Sequence, residues 1–293
     1  ISFDLSVQLR NRPVVGDNRV DGTAENLRFF TDEVIIDQLR KQVSAGGKMS
    51  RQRVVHDLRM VGKQRLSEYM SKYHDELLFI YLSGARGGNE AFYEPTDWLG
   101  HAGNVIQPPD AQHVIFGGYR TSSALVTVGD TMTRTLIEGV NTRVRMLRSQ
   151  DPDAANMVPV SIDGENRFVL VMSPFQEHDL RVSDTAGWLQ MQRDAAAAEG
   201  RNNPIFKGGL GMIGNTVLHS HESVIRFSNY GAGANVAAAR ALYLARQAGV
   251  VAYGSTKGMR VDWNEEVKDA GNEPIVTAGF IIGAKATVFN NRR

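Results

Sequence analysis

Ile1-Ser2-Phe3-Asp4-Leu5-Ser6-Val7-Gln8-Leu9-Arg10 opens the chain. Apolar residues take every odd position and polar residues every even one, the side-chain period of a strand with one buried face. A tip rich in turn formers and charge follows, from Asn11-Arg12-Pro13 through Gly16-Asp17-Asn18-Arg19 to Asp21-Gly22. A second apolar run then spans Leu27 to Leu39, so residues 1–43 read as a long antiparallel hairpin. With roughly ten to fourteen residues a side, the ribbon would reach about 35 to 45 Å. A two-stranded ribbon of that length is marginal in water, so its apolar face needs a partner. The expected partner is a neighbouring copy of the same chain. Phe29 and Phe30 are adjacent and therefore face opposite sides of the ribbon, which predicts that both sides become covered. The tip charges Arg10, Arg12, Asp17, Arg19 and Asp21 would set register on that neighbour, each exposed pair contributing only about 0–1 kcal/mol.

Composition sets the outer limits. With 293 residues and an apolar fraction of 42%, the chain is a folded globular protein large enough for two subdomains. Its 33 basic and 32 acidic residues nearly cancel, which argues against a dedicated nucleic-acid binder but leaves one face free to meet DNA non-specifically. There is no cysteine, so disulfides, thiolate metal sites and cysteine nucleophiles are excluded. No apolar run has the length of a membrane span, and no signal peptide is visible. Ile1 stands inside the strand pattern without an initiator methionine, which predicts further residues upstream.

Beyond the ribbon, Ser44 to Met49 forms a hinge and Ser50 is a plausible cap for a long helix running to Ser83. Val54, Leu58, Val61, Tyr69, Tyr73, Leu77 and Ile80 recur at three- and four-residue steps, widened by Leu66, Met70, Leu78 and Tyr81. Such a helix would be roughly 50 Å long, a spine ended by Gly84. Residues 84–128 dissolve into Gly, Pro, Asn and aromatics, and read as an excursion ordered by contacts. A helix is expected over 130–148, capped by Asp130 or Thr131, with Arg143, Arg145 and Arg148 at its carboxyl end. Those arginines fit a solvated helix end, with an interface or DNA contact as the alternative. Met157 to Ile162, the Asp163-Gly164 turn and Arg167 to Met172 form a hairpin whose second strand is apolar throughout, hence central. Ser173-Pro174 starts a helix, followed by another carrying Trp188, Leu189, Met191 and Ala195 to Ala198. A strand at Thr216 to His219, a helix at Ala237 to Ala248, a strand at Val250 to Tyr253 and a hairpin of Met259 to Val267 with Ile275 to Phe289 complete an α+β order.

Few places invite chemistry. His219 and His221 lie on one face of a strand beside Glu222, a weak candidate set for a zinc-dependent hydrolase. It lacks an H-E-x-x-H pattern, and hydrogen-bonded strand histidines are the simpler reading. The glycines of 208–214 and 231–233 lack Rossmann and phosphate-loop spacing. Glu265 and Glu266 are adjacent, so in a strand they face opposite sides. No G-x-S-x-G elbow occurs. Neither a catalytic residue nor a cofactor is expected.

The order of several motifs resembles the N4-gp56 family of tailed-phage major capsid proteins. These are Ile36-Asp37-Gln38-Leu39-Arg40, Gly47-Lys48-Met49-Ser50, Phe168 to Gln176, Asn203-Pro204-Ile205-Phe206, Gly209-Leu210-Gly211, the strand ending His219-Ser220-His221-Glu222, Arg240-Ala241-Leu242, Ala252-Tyr253-Gly254 and Trp263-Asn264-Glu265-Glu266. The resemblance covers nearly the whole chain and implies an HK97-type fold. Residues 1–43 would be the extended E-loop and 44–156 the peripheral domain, with spine helix 50–83 and excursion 84–128. Residues 157–256 would be the axial domain, and 257–293 the return to the peripheral sheet. It implies hexamers and pentamers of an icosahedral head around double-stranded DNA, a portal at one vertex, a cement or decoration protein, and assembly in the host cytoplasm. It assigns no place to residues 84–128. A tail or connector component, which shares the arm logic, is the alternative assembly.

Overall fold

The computed structural model describes residues 1–6, 9, 11–150, 157–162, 164–184, 187, 211–255, 258 and 260–289. The opening hairpin is present: β1 (Ser2–Ser6) pairs antiparallel with β2 (Phe29–Glu33), matching Ser2 to Glu33 and Ser6 to Phe29. Its regular strands are five residues each, shorter than expected, and the second apolar run is split. After the connection 34–36 the chain enters β3 (Asp37–Ser44), which leaves the ribbon to pair with β13 (Glu273–Ala286). The break follows from partner choice, because eight residues beside a long central strand satisfy more backbone groups than continuation of a solvated ribbon.

The spine is real but starts later than Ser50. Helix α1 (Lys48–Arg53) is short, and α2 (Leu58–Ser83) restarts after an extended stretch at 54–57. Adjacent β-branched Val54 and Val55 lose rotamer freedom in a helix. Three residues on, Asp57 offers a better cap, its carboxylate accepting from the backbone N–H of Arg59 and Met60. The 26 residues of α2 give about 39 Å. Gly84 ends it in the left-handed conformation (φ 72°), donating its N–H to Ile80 O. Asp57→Ala should cost about 1 kcal/mol, read as a melting temperature roughly 2–4 °C lower by circular dichroism.

Beneath α2 lies a four-stranded antiparallel sheet, in which β13 is flanked by β3, β11 (Gly249–Tyr253) and β12 (Asp262–Lys268). Every second residue of β13, from Val276 through Ala278, Phe280 and Ile282 to Ala284, is buried against Leu66, Met70, Tyr73, Leu77 and Tyr81 of α2. A period of two thus meets a period of 3.6 across one core. Within α2 the buried seam combines Tyr73, Leu77 and Ile80 of the expected stripe with Leu66, Met70 and Tyr81 of the set expected to widen it. Val61 is exposed, because the helix is turned so that Gly62 approaches Val43 of β3, and Val54 is exposed in the break before the helix.

Residues 84–128 are ordered by contacts, as expected, and hold single 3-10 turns at Ala111–His113, Gly117–Tyr119 and Ser123–Leu125. Glu76 of α2, 2% exposed, anchors the first part: its carboxylate accepts from the backbone N–H of Tyr93 and Glu94, both at 2.8 Å. The Arg86 guanidinium donates to the carbonyls of Glu94 and Asn89 and sits over the Phe92 ring. Asn89 bonds Val224 O and accepts from Arg226 N, tying this loop to the second half of the molecule.

That half is a mixed sheet. β5 (Glu165–Met172) lies between parallel β7 (Thr216–Ser220) and antiparallel β10 (Leu242–Leu244), with β4 (Val160–Ile162) pairing the start of β5 and β6 (Met212–Ile213) beyond β7. The central position of β5 is the one its apolar run predicts. Helix α3 (Arg134–Gln150) buries Ile137 against Leu170, Met172, Ile213 and Leu218, as does Leu180 of α4 (Pro174–Ser183). Ser173 and Gln176 form the reciprocal cap of α4, with Pro174 at its first position.

Two expectations fail here. The helix over 237–248 is absent; the stretch forms β9 (Val236–Ala239), paired with β8 (Arg226–Tyr230), and then β10. Alanine's helix preference is worth only tenths of a kcal/mol per residue, and Leu242 pairing with Val171 closes an apolar edge instead. Asp130 and Thr131 do not cap α3. The Thr133 hydroxyl accepts from Leu136 N, while Asp130 accepts from Arg120 and from Thr127 N. Arg120 first, then the Thr127 amide, holds the Asp130 carboxyl down to about 2. A depressed carboxyl contributes stability that is present above its ordinary value of 3.8 and lost as pH falls toward about 2. Carboxyl-carbon NMR should place the Asp130 midpoint near 2; a midpoint at the ordinary carboxylate value would contradict this contact. The expected helix with Trp188, Leu189, Met191 and Ala195 to Ala198 lies outside the described residues, as do Asn203 to Phe206, Gly209, Leu210 and Met259.

Candidate assembly surface

The pleat gives the ribbon two distinct faces. Cross-strand partners share a side, so Phe3 with Asp32, and Ile1 with Val34, point one way, while Ser6 with Phe29 and Asp4 with Thr31 point the other. The first face meets the body. Phe3 packs edge-on against Phe289 (centroids 5.7 Å), the Asp32 carboxylate pairs with Lys285 and accepts from Val288 N, and Val34 is fully buried. Phe30 lies on this side and is half-buried; Phe29 lies on the outer side and is exposed. The two phenylalanines thus face opposite ways, as expected, with only one partly covered.

Among the described residues, the contacts named above pin the ribbon at its base. In the tip, Thr23 bonds Val20 O, the Asn18 amide bonds Val15 O, and Asn11 N donates to the Glu25 carboxylate, all within the arm. Gly16 (φ 69°) and Gly22 (φ 83°) supply left-handed turns. Arg12, Asp17, Arg19 and Asp21 are exposed, and Arg10 lies outside the described residues. Leu9, Val15, Val20, Leu27 and Phe29 are each between 60% and 73% exposed. Five large apolar side chains exposed along one hairpin are the kind of surface that marks a contact site.

Two further exposed apolar groups escaped the sequence reading. Met49, Val55 and Met60 surround the junction of α1 and α2, and Leu99 and Val105 stand on the excursion. A residue on a break or a loop has no period to betray it. At the opposite electrostatic extreme, β12 is exposed throughout, and its Glu265 pairs with Arg59 and Lys63 of α2. Glu266 lies on the other side near Lys268, so the adjacent acids do diverge.

The histidine candidates do not build a metal centre. His221 stacks on Phe79 (4.7 Å) and its Nδ1 accepts from Ser223 N. Burial, and then the neighbouring His221, lowers the pKa of His219. Among the described residues no three of His, Cys, Asp and Glu are placed to hold a metal, and no helix is long and apolar enough to cross a membrane.

Comparison with known proteins agrees with this geometry. The capsid of Ralstonia phage GP4 is 62% identical, with a TM-score of 0.95 over 100% of this chain and 80% of that one. The major capsid protein of Pseudomonas phage KPP25 is 24% identical over 291 residues, 92% of this chain and 73% of that protein. The capsid of cyanophage Pam1, 22% identical with a TM-score of 0.73 over 100% of this chain and 82% of that one, shares the fold. The α+β architecture is the HK97-type fold of phage capsids. The family model described as phage capsid protein matches residues 1–293. A ribbon pinned at its root, exposed apolar residues in its tip and these likenesses converge: the chain belongs to the phage capsid protein family and is a major capsid protein, a structural part of the virion.

Proposed function

We propose that the β1–β2 ribbon lies across an adjacent subunit as an intersubunit arm, and that copies joined this way form the hexamers and pentamers of an icosahedral head around double-stranded DNA. The observation that carries this reading is the contrast between a base pinned by Asp32–Lys285 and Phe3–Phe289 and a tip whose apolar residues touch water. Fully burying a Val, Leu or Phe side chain is worth roughly 1.5–3 kcal/mol, whereas exposed ion pairs contribute about 0–1 kcal/mol each. Apolar burial therefore drives docking, and the tip charges select its register. Repetition under symmetry then makes individually modest contacts cooperative.

On this reading residues 1–43 are the E-loop, with 37–43 also serving the sheet; 44–156 and 257–293 are the peripheral domain, and 157–256 the axial domain. Its N4-gp56-type character, a portal at one vertex, a decoration protein and assembly in the host cytoplasm belong to the same proposal. The near-cancelling charge suits a wall that touches packaged DNA without binding it tightly. Electron microscopy of the purified full-length protein tests it. Closed isometric shells are expected; tubes or open rings would assign the chain to a different symmetric part of the particle.

A further inference from the structure

The ribbon joins the sheet through only three residues, Val34, Ile35 and Ile36, between β2 and β3. Val34 still pairs with Ile1, but the ladder ends there, and both backbone polar groups of Ile35 are satisfied by one side chain. The Asn104 amide oxygen accepts from Ile35 N at 2.9 Å, and its NH2 donates to Ile35 O at 2.7 Å. The amide thus imitates a strand partner where the strand is interrupted.

Asn104 is itself held from three sides. It is 4% exposed, its carbonyl accepts from the Tyr81 hydroxyl of α2 at 2.8 Å, and its N–H donates to His101 O. His101 N donates to the same hydroxyl, and the His101 ring bonds Ile282 O of β13. The turn closes because Gly100, at φ 132°, brings its α-carbon against Asn104 O, where a Cβ would come within 2.0 Å. Residues 100–104 are therefore a bracket bolted to the spine helix and to the central strand, with one amide reaching the root of the arm. Lys285 adds a second clamp, bonding the Asp32 carboxylate and Glu33 O.

We propose that Asn104 is a positioning residue that fixes the direction in which the arm leaves the body, and that this is the role of the 100–104 bracket within the long excursion. The inference rests on the reading of the ribbon as an intersubunit arm. An arm already aimed loses less conformational freedom on docking, so aim converts into assembly rate and yield.

The absence of cysteine makes the test direct. Val15→Cys in the tip with Ser67→Cys on α2 provides a spin-label pair in the unassembled full-length subunit, and Ser67→Cys with Ser228→Cys provides a body-to-body control. The parent should give one narrow tip-to-body distance distribution. Asn104→Leu should make it about two-fold wider and leave the control pair unchanged. Tyr81→Phe, which removes only the hydroxyl that holds the bracket, should widen it less and serves if Asn104→Leu does not fold. An unchanged tip distribution in either folded variant, or equal broadening of the control pair, overturns the inference. Shell yield separates it from the reading beneath it: a tip-deleted subunit that still forms shells sinks the arm, whereas loss of shells on tip deletion with full yield from Asn104→Leu sinks the bracket alone.

Discussion

Replacing residues 13–22 with an Asn-Gly turn is expected to yield a subunit that folds but does not close into shells. The body should be indifferent to this change, because among the described residues the hydrogen bonds of Asn11, Asn18 and Thr23 run within the ribbon itself. The shortened ribbon keeps its root contacts, Phe3 on Phe289 and Asp32 on Lys285, and an Asn-Gly pair suits a two-residue hairpin turn. What disappears is the exposed apolar surface of Val15 and Val20. If each is buried on a neighbour, the loss is roughly 3–6 kcal/mol per contact, a factor of about 10²–10⁴ in every association step. Circular dichroism and a melting curve like the parent's, with only small species on size exclusion and empty fields in the electron microscope, are the expected readings. Intact shells at parental yield would show that the tip has no partner in the assembly.

Glu76→Leu should be a damaging single change in the half built around α2. The carboxylate is buried, and burial pushes its pKa up, opposed by the two N–H donors from Tyr93 and Glu94 and by the charge of Arg86. Leucine removes the acceptor and strands both N–H groups. A fully buried unsatisfied donor costs about 1–3 kcal/mol; with Glu94 half-buried and Tyr93 exposed, the variant should lose roughly 1–4 kcal/mol in all. The melting temperature should fall on the order of 10 °C. Glu76→Gln, which keeps an acceptor for one of the two, should lose about half as much. Glu68→Leu, on the exposed side of the same helix, should change little. Differential scanning calorimetry of the three separates these outcomes. Equal stability of Glu76→Leu and the parent would mean that the loop is held without this carboxylate.

These two variants mark the limits of what is legible in a linear chain. Local grammar was readable wherever neighbours in sequence are neighbours in space. The alternation from Ile1 to Leu5 predicts a ribbon, Ser173-Pro174 a helix start, Gly84 a helix end, and the runs ending at Val267 and starting at Ile275 a hairpin, and each stands at its expected place. The ordered character of residues 84–128 was also visible, from their aromatics. Glu76 was not, because an acid inside a helix looks solvated until a distant loop brings two amides to it. Nor was Asn104, whose partner is 69 positions away.

By itself, then, the sequence determined the strand and helix periods, several caps and turns, the lack of any thiol chemistry and the charged tip of the ribbon, all set by residues within a few positions of one another. The tertiary structure decided the rest: that 37–44 desert the ribbon for β13, that an alanine-rich stretch at 237–248 becomes strand, and that Asn104 reaches Ile35. Intrinsic preferences of tenths of a kcal/mol per residue yield to long-range pairing and to buried polar groups that each require a partner.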